Sequence, residues 1–177
     1  MKLLLPFLFF FSYFGFSQEI KYELFIINSC SGKIKKSSFY RLEKNGVEYS
    51  SFENGFITLS EKGKYKLTAI EFEEERIVSI KNTLNSDTIK TPKIVEFLST
   101  HKNPVYLYKN CDELCNGIQI DYYPNGSIRI KGEFEKGLII GELRKYYQNG
   151  NLKEFSIYNK RGVVSIKTLF YKTGKIK

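Results

Sequence analysis

Tyr122-Tyr123-Pro124-Asn125-Gly126 returns twenty-four positions later as Tyr146-Tyr147-Gln148-Asn149-Gly150, and again as Phe170-Tyr171-Lys172-Thr173-Gly174. A fixed period of this length is the mark of a repeat architecture. The register extends beyond the five residues. Gly117 answers to Gly141, Phe134 to Tyr158, and Ile128 to Leu152 and then Ile176, with a further glycine (Gly137, Gly162) closing each of the first two units. Asn and Gly tolerate positive φ at low cost, so Asn-Gly between alternating segments signals a β-hairpin. Ile118, Ile120 and Tyr122 alternate with Gln119, Asp121 and Tyr123 before the first turn. Ile128, Ile130 and Phe134 alternate with Ser127, Arg129 and Lys131 after it. This period of two is the strand pattern. In the second unit Glu142 and Arg144 stand where the first has isoleucines, so one face of the ribbon is expected to be only partly buried. One hairpin alone is marginal in water, and the units must share a core.

The Tyr-Tyr-x-Asn-Gly core with the following Gly132, Phe134 and Gly137 resembles the variant MORN repeat, a short all-β module. The resemblance runs from Gly117 to Lys177, with two full units and a truncated third that carries Thr173 in place of Asn and reads as a frayed or capping hairpin. It implies that Tyr123, Asn125, Gly126, Tyr147, Asn149, Gly150, Tyr171 and Gly174 build the repeat turns and catalyse nothing. Proteins of this kind are labelled antitoxin-like, and classical MORN repeats are associated with membranes or scaffolding. The resemblance therefore implies a binding role of one of these kinds.

Residues 1–17 read as a targeting segment. Lys2 is a short positive region, Leu3 to Phe14 an apolar run, and Gly15-Phe16-Ser17 a small-x-small cleavage site with no cysteine for a lipid anchor. The run is short for a bilayer span, which takes roughly 20 apolar residues. The mature chain is expected to begin at Gln18 and to work outside the cytoplasm, secreted or in the periplasm or outer envelope.

Residues 18–98 read as short strands separated by turns at Lys44-Asn45-Gly46, Glu53-Asn54-Gly55 and Lys62-Gly63, and Thr88 to Phe97 closes the set as one strand. Turns every 8 to 12 residues indicate a sandwich or barrel. Residues 54–69, with Asn54-Gly55-Phe56 and then Gly63-x-Tyr65-x-Leu67, are similar to the carboxypeptidase-regulatory or transthyretin-like sandwich, which implies a non-catalytic accessory domain. Residues 99–104, polar and ending in Pro104, mark the expected boundary, and 105–177 the repeat array. The fold class expected is all-β, a small sandwich followed by stacked hairpins.

Cys111 and Cys115, with Cys30 as a third partner, are disulfide candidates in an oxidising compartment. A Cys111–Cys115 bridge is the leading expectation, ahead of Cys30 with one of the two and of free thiols. His101 is the single histidine, and four well-placed metal ligands are not evident. The carboxylates of Glu71 to Glu75 alternate faces along a strand and read as a solvated edge. No Ser-His-Asp set, phosphate loop or dinucleotide fingerprint is present, so neither an enzyme nor a cofactor is expected.

From Lys102 onward 14 Lys and Arg face 7 Asp and Glu, a balance of +7, whereas residues 18–101 carry 13 against 12. Arg129, Lys131, Arg144, Lys145 and Lys153 are the candidates for an anionic surface: membrane, glycan or an acidic protein. Tyrosines beside cations can stack nucleic acid bases. Here they recur with the hairpin period, and secretion removes most nucleic acids as partners. The expected function is a non-enzymatic interaction or scaffold protein of the envelope, with a toxin-neutralising protein as the alternative. The sequence sets no expectation for oligomeric state.

Overall fold

The computed structural model describes residues 19–51, 55–69, 74–100 and 104–177. The targeting segment, the turn at Glu53-Asn54 and His101 lie outside the described residues. The described residues are all-β, with no helix, and form a sandwich followed by side-by-side hairpins.

The first half packs two four-stranded sheets face to face. One places β1 (Ile20–Ile27) at its centre. Beside β1 run β2 (Ile34–Lys36) and β5 (Phe56–Leu59), antiparallel, and β8 (Leu84–Lys90), parallel. The other orders β4 (Val47–Ser50), β3 (Tyr40–Lys44), β6 (Gly63–Ala69) and β7 (Glu74–Ile80). Strict alternation explains the core. Ile20, Tyr22, Leu24 and Ile26 of β1 are buried, and they face Tyr40 and Leu42 of β3 and Tyr65, Leu67 and Ala69 of β6. Tyr40 is accommodated because its hydroxyl donates to the Tyr22 carbonyl at 2.8 Å, which satisfies a polar atom inside an apolar layer. Asn45 and Gly46 both take positive φ, 52° and 80°, in the two-residue turn from β3 to β4.

The boundary lies earlier than residues 99–104. The single strand expected from Thr88 to Phe97 is two strands, because Pro92 lacks an N–H for a ladder and interrupts it at Thr91-Pro92-Lys93. β8 stays in the sandwich. β9 (Ile94–Leu98) pairs with β10 (Tyr106–Asn110), which pairs in turn with β11 (Glu113–Leu114). This three-stranded sheet covers the repeat sheet. Ile94, Tyr108 and Cys115 pack on Ile130, Phe134, Ile139 and Leu143 as a second core.

The repeat sheet is an antiparallel meander of β12 (Gly117–Tyr122), β13 (Ile128–Glu135), β14 (Leu138–Tyr146), β15 (Leu152–Tyr158) and β16 (Val164–Leu169). Its hairpins are stacked edge to edge and share one continuous ladder. Each repeat turn has the same wiring. Gly126 N–H donates to the Tyr123 carbonyl at 2.9 Å and Tyr123 N–H to Ser127 at 2.8 Å, and the bonds recur at Tyr147/Gly150/Asn151 and Tyr171/Gly174/Lys175. This is a type I turn closed by a glycine bulge, which suits Pro124 at its second position. Only the glycine takes positive φ there, and Asn125 does not.

One disulfide, Cys30–Cys111, ties the first loop of the sandwich to the β10–β11 turn. The expected Cys111–Cys115 bridge is not formed. Cys115 faces inward, where its alternation on the strand path sends it into the second core, while Cys111 sits at the turn with φ of 58°. A loop of 81 residues closed by one bridge restricts the unfolded chain by about 4–5 kcal/mol in the chain-entropy account.

Gly126 and Gly150 sit at φ of 85° and 86° with open space where a Cβ would be, so alanine at either strains only the backbone. Each substitution is expected to cost about 1 kcal/mol in denaturant unfolding. Gly137→Ala is expected to cost more, because its Cβ would lie 2.9 Å from Leu114 Cδ2 and 3.1 Å from the Tyr108 carbonyl oxygen.

Candidate functional site

The repeat tyrosines and asparagines point along the row of turns. Tyr123 Oη donates to the Tyr146 carbonyl at 2.8 Å, and Tyr147 Oη to Phe170 at 2.8 Å. Asn125 Nδ2 donates to the Gln148 carbonyl at 3.1 Å, and Asn149 Nδ2 to Lys172 at 3.0 Å. Each unit therefore grips the backbone of the next through two side chains. Thr173 replaces Asn in the third unit and carries no amide for a further step; Tyr171 there is exposed, with Lys177 over its ring. Tyr123, Asn125, Tyr147 and Asn149 are thus bonded into the scaffold.

The five cationic candidates do not form one patch. Arg129 is half-buried and faces the β9 sheet. Its Nη2 and Nε donate to Asp121 Oδ2 at 2.7 and 3.1 Å, and Nη2 also donates to the Ile94 carbonyl. The same carboxylate oxygen accepts the backbone N–H groups of Lys93 and Ile94, each at 3.1 Å. Asp121 is 6 % exposed, so Arg129 serves as the counter-ion of a buried carboxylate that anchors the start of β9. Lys145 lies on the same side, 3.0 Å from Glu96 and over the Tyr108 ring. Lys153 stacks over Tyr147 at the turns. Only Lys131 and Arg144 lie on the outer face, as cross-strand neighbours.

That outer face is the other outcome of the Asp121 arrangement. With Asp121 turned inward, strand alternation sends Ile118, Ile120 and Tyr122 outward, and Ile118 is 70 % exposed. Across the five strands the register sets two rows. One runs Ile120, Lys131, Arg144, Phe155, Thr168. The adjacent row has Ile118 opposite Glu133, then a break in register, then Glu142, Ile157 and Ile166. A groove of about 330 Å³ follows the break, with Gly132 and Gly141 lining it between the cations and the carboxylates. Arg144 makes an exposed pair with Glu142 at 2.7 Å and covers the Phe155 ring. From β12 to β15 the face thus reads apolar, charged, charged, apolar, and the edge strand β16 adds Thr168 and Ile166.

A second cleft, of about 520 Å³, lies between the sandwich and the turns, with Arg41 and Thr68 on one wall and Tyr147 and Gln148 on the other. Glu75 and Lys172 cross it at 2.9 Å, and Lys66 approaches Glu75 at 3.4 Å. The Lys172 hydrogen bond holds the Glu75 carboxyl below the usual carboxylate range. This carboxylate is thereby shared between two lysines. Cys115 is shielded by Tyr108 and Phe134, and burial pushes its thiol up, so it stays a protonated core side chain. Among the described residues no three His, Cys, Asp or Glu are grouped to hold a metal.

No family model, curated protein or solved structure matches this chain.

Arg129→Glu is expected to lower stability by on the order of 3 kcal/mol, because it leaves the Asp121 carboxylate buried beside a second negative charge. Lys131→Glu, exposed on the outer face, is expected to change it by less than about 0.5 kcal/mol. Denaturant melts of dilute protein check both. Equal effects would mean that Arg129 is a surface cation after all.

Proposed function

We propose that the chain is a non-enzymatic interaction protein of the cell envelope that binds through the outer face of its hairpin array, a face of the variant MORN kind. The observation that carries this reading is the two-row face itself. Ile118 and Ile166 are 70 % and 51 % exposed on a sheet whose opposite side packs, at β13 and β14, into the second core, and the motif residues that build it are absorbed in the turns. Exposed apolar side chains grouped on one sheet face mark contact surfaces. The Cys30–Cys111 bridge is compatible with an oxidising compartment and supports the location outside the cytoplasm.

The broad basic surface expected for lipid or glycan is a weaker reading. Arg129 and Lys145 are engaged with carboxylates on the inner side, and the cations that remain on the outer face alternate with Glu133 and Glu142. A mixed face of this kind favours a protein partner over a uniformly anionic one.

A photo-reactive residue placed at Ile118 or Ile166, in the cells that make the protein, is expected to give a discrete protein adduct. The same residue at Lys64, on the outward side of the sandwich, is expected to give none. Absence of adducts at both repeat positions, or equal adducts at Lys64, would remove this reading.

A further inference from the structure

We propose that the partner of the outer repeat face is a second copy of this chain, joined face to face across a two-fold axis that runs perpendicular to the strands. This rests on the reading of that face as the binding surface and adds the identity of what covers it.

The inference comes from the order of charges. Lys131 and Arg144 are neighbours in one row, and Glu133 and Glu142 flank the register break in the next. Lys131 and Arg144, side by side, repel within a monomer, and among the described residues neither the cations nor the two carboxylates have a full complement of counter-ions. Arg144 reaches Glu142 along its strand at 2.7 Å, but both side chains are well exposed, 43 % and 55 %, so that pair contributes little by itself.

Two identical faces can be apposed in two simple ways. An axis along the strands keeps the rows in place and sets Lys131 and Arg144 against the same cations of the other copy. An axis across the strands, between the two rows, exchanges the rows. Lys131 then faces Glu133 of the second copy and Arg144 faces Glu142, and the reciprocal pairs form by symmetry. Four unlike-charge contacts replace four like-charge ones.

The same operation matches the flanks. Because each strand contributes one residue to each row, the exchange sets Ile120 against Ile118 of the second copy on β12 and Phe155 against Ile157 on β15. Apolar meets apolar on both sides of the charged band, which excludes water from it and strengthens the ion pairs. A lipid surface or a uniformly acidic protein would satisfy the cation row and leave the carboxylate row opposed. A copy of this chain satisfies both.

The test uses the full secreted protein and two double variants, Lys131→Glu/Arg144→Glu and Glu133→Lys/Glu142→Lys, in light scattering after size exclusion. The wild-type protein is expected to be a dimer. Each variant alone is expected to associate about 100-fold more weakly, and an equimolar mixture of the two to recover a heterodimer. Because all four side chains are on the outer face, far-UV circular dichroism and melting of dilute variants report whether each has kept its fold. A bis-maleimide cross-link between an Ile118→Cys chain and an Ile120→Cys chain gives an independent reading of the same axis. A wild-type protein that stays monomeric at concentrations on the order of 100 µM overturns the proposal. So does a dimer that survives both reversals, or a mixture that stays monomeric. If the protein is monomeric while Ile118 still gives a discrete adduct with a different protein in cells, the binding face stands and self-association falls.

Discussion

The structure of the repeat half depends on one recurring interaction, a side chain in each turn that holds the backbone of the next turn. Tyr123 and Asn125 donate to the carbonyls of Tyr146 and Gln148, and Tyr147 and Asn149 repeat the step to Phe170 and Lys172. Backbone ladders fix neighbouring strands but leave the turns at their ends free to splay. The tyrosine and asparagine bonds remove that freedom at one edge of the sheet. They recur with the same twenty-four-residue spacing as the motif itself. A sheet held this firmly can leave a whole face without cover.

The other half of the arrangement is the buried Asp121. Its carboxylate takes two backbone N–H groups at the start of β9 and the Arg129 guanidinium, and so pins the three-stranded cover onto the repeat sheet. Burying that carboxylate dictates the facing of all of β12, since a strand alternates strictly. The isoleucines on its other side are then sent to solvent. The outer face is therefore a consequence of how the inner core is anchored.

Much of the fold was legible in the sequence because it rests on local rules. The repeat turns follow from Asn-Gly and its spacing, and the sandwich strands from alternation in Tyr22 to Ile26 and Tyr65 to Ala69. The partial burial of one ribbon face was also legible, in Glu142 and Arg144 standing where the first unit has isoleucines. What escaped depends on distant partners. Which face of β12 turns inward is decided by Asp121, whose carboxylate finds N–H groups 27 and 28 residues away. Thr88 to Phe97 reads as one strand, with Pro92 as the signal that divides it. The Cys30–Cys111 bridge joins residues far apart in the chain, and proximity in sequence favoured Cys115 instead. Arg129 counted as surface charge because nothing local shows that its neighbour on β12 is buried.

The motif residues build the scaffold, and the proposed binding surface is made of the non-motif residues of the outer face. Tyr123→Phe and Tyr147→Phe separate the two, since each removes only a hydroxyl that donates to the next unit. Measured by denaturant unfolding and by self-association of the same samples, each is predicted to lose about 1 kcal/mol of stability with the dimer affinity of the folded protein unchanged. Unchanged stability together with weakened association would contradict the account, because the tyrosines would then be part of the binding surface.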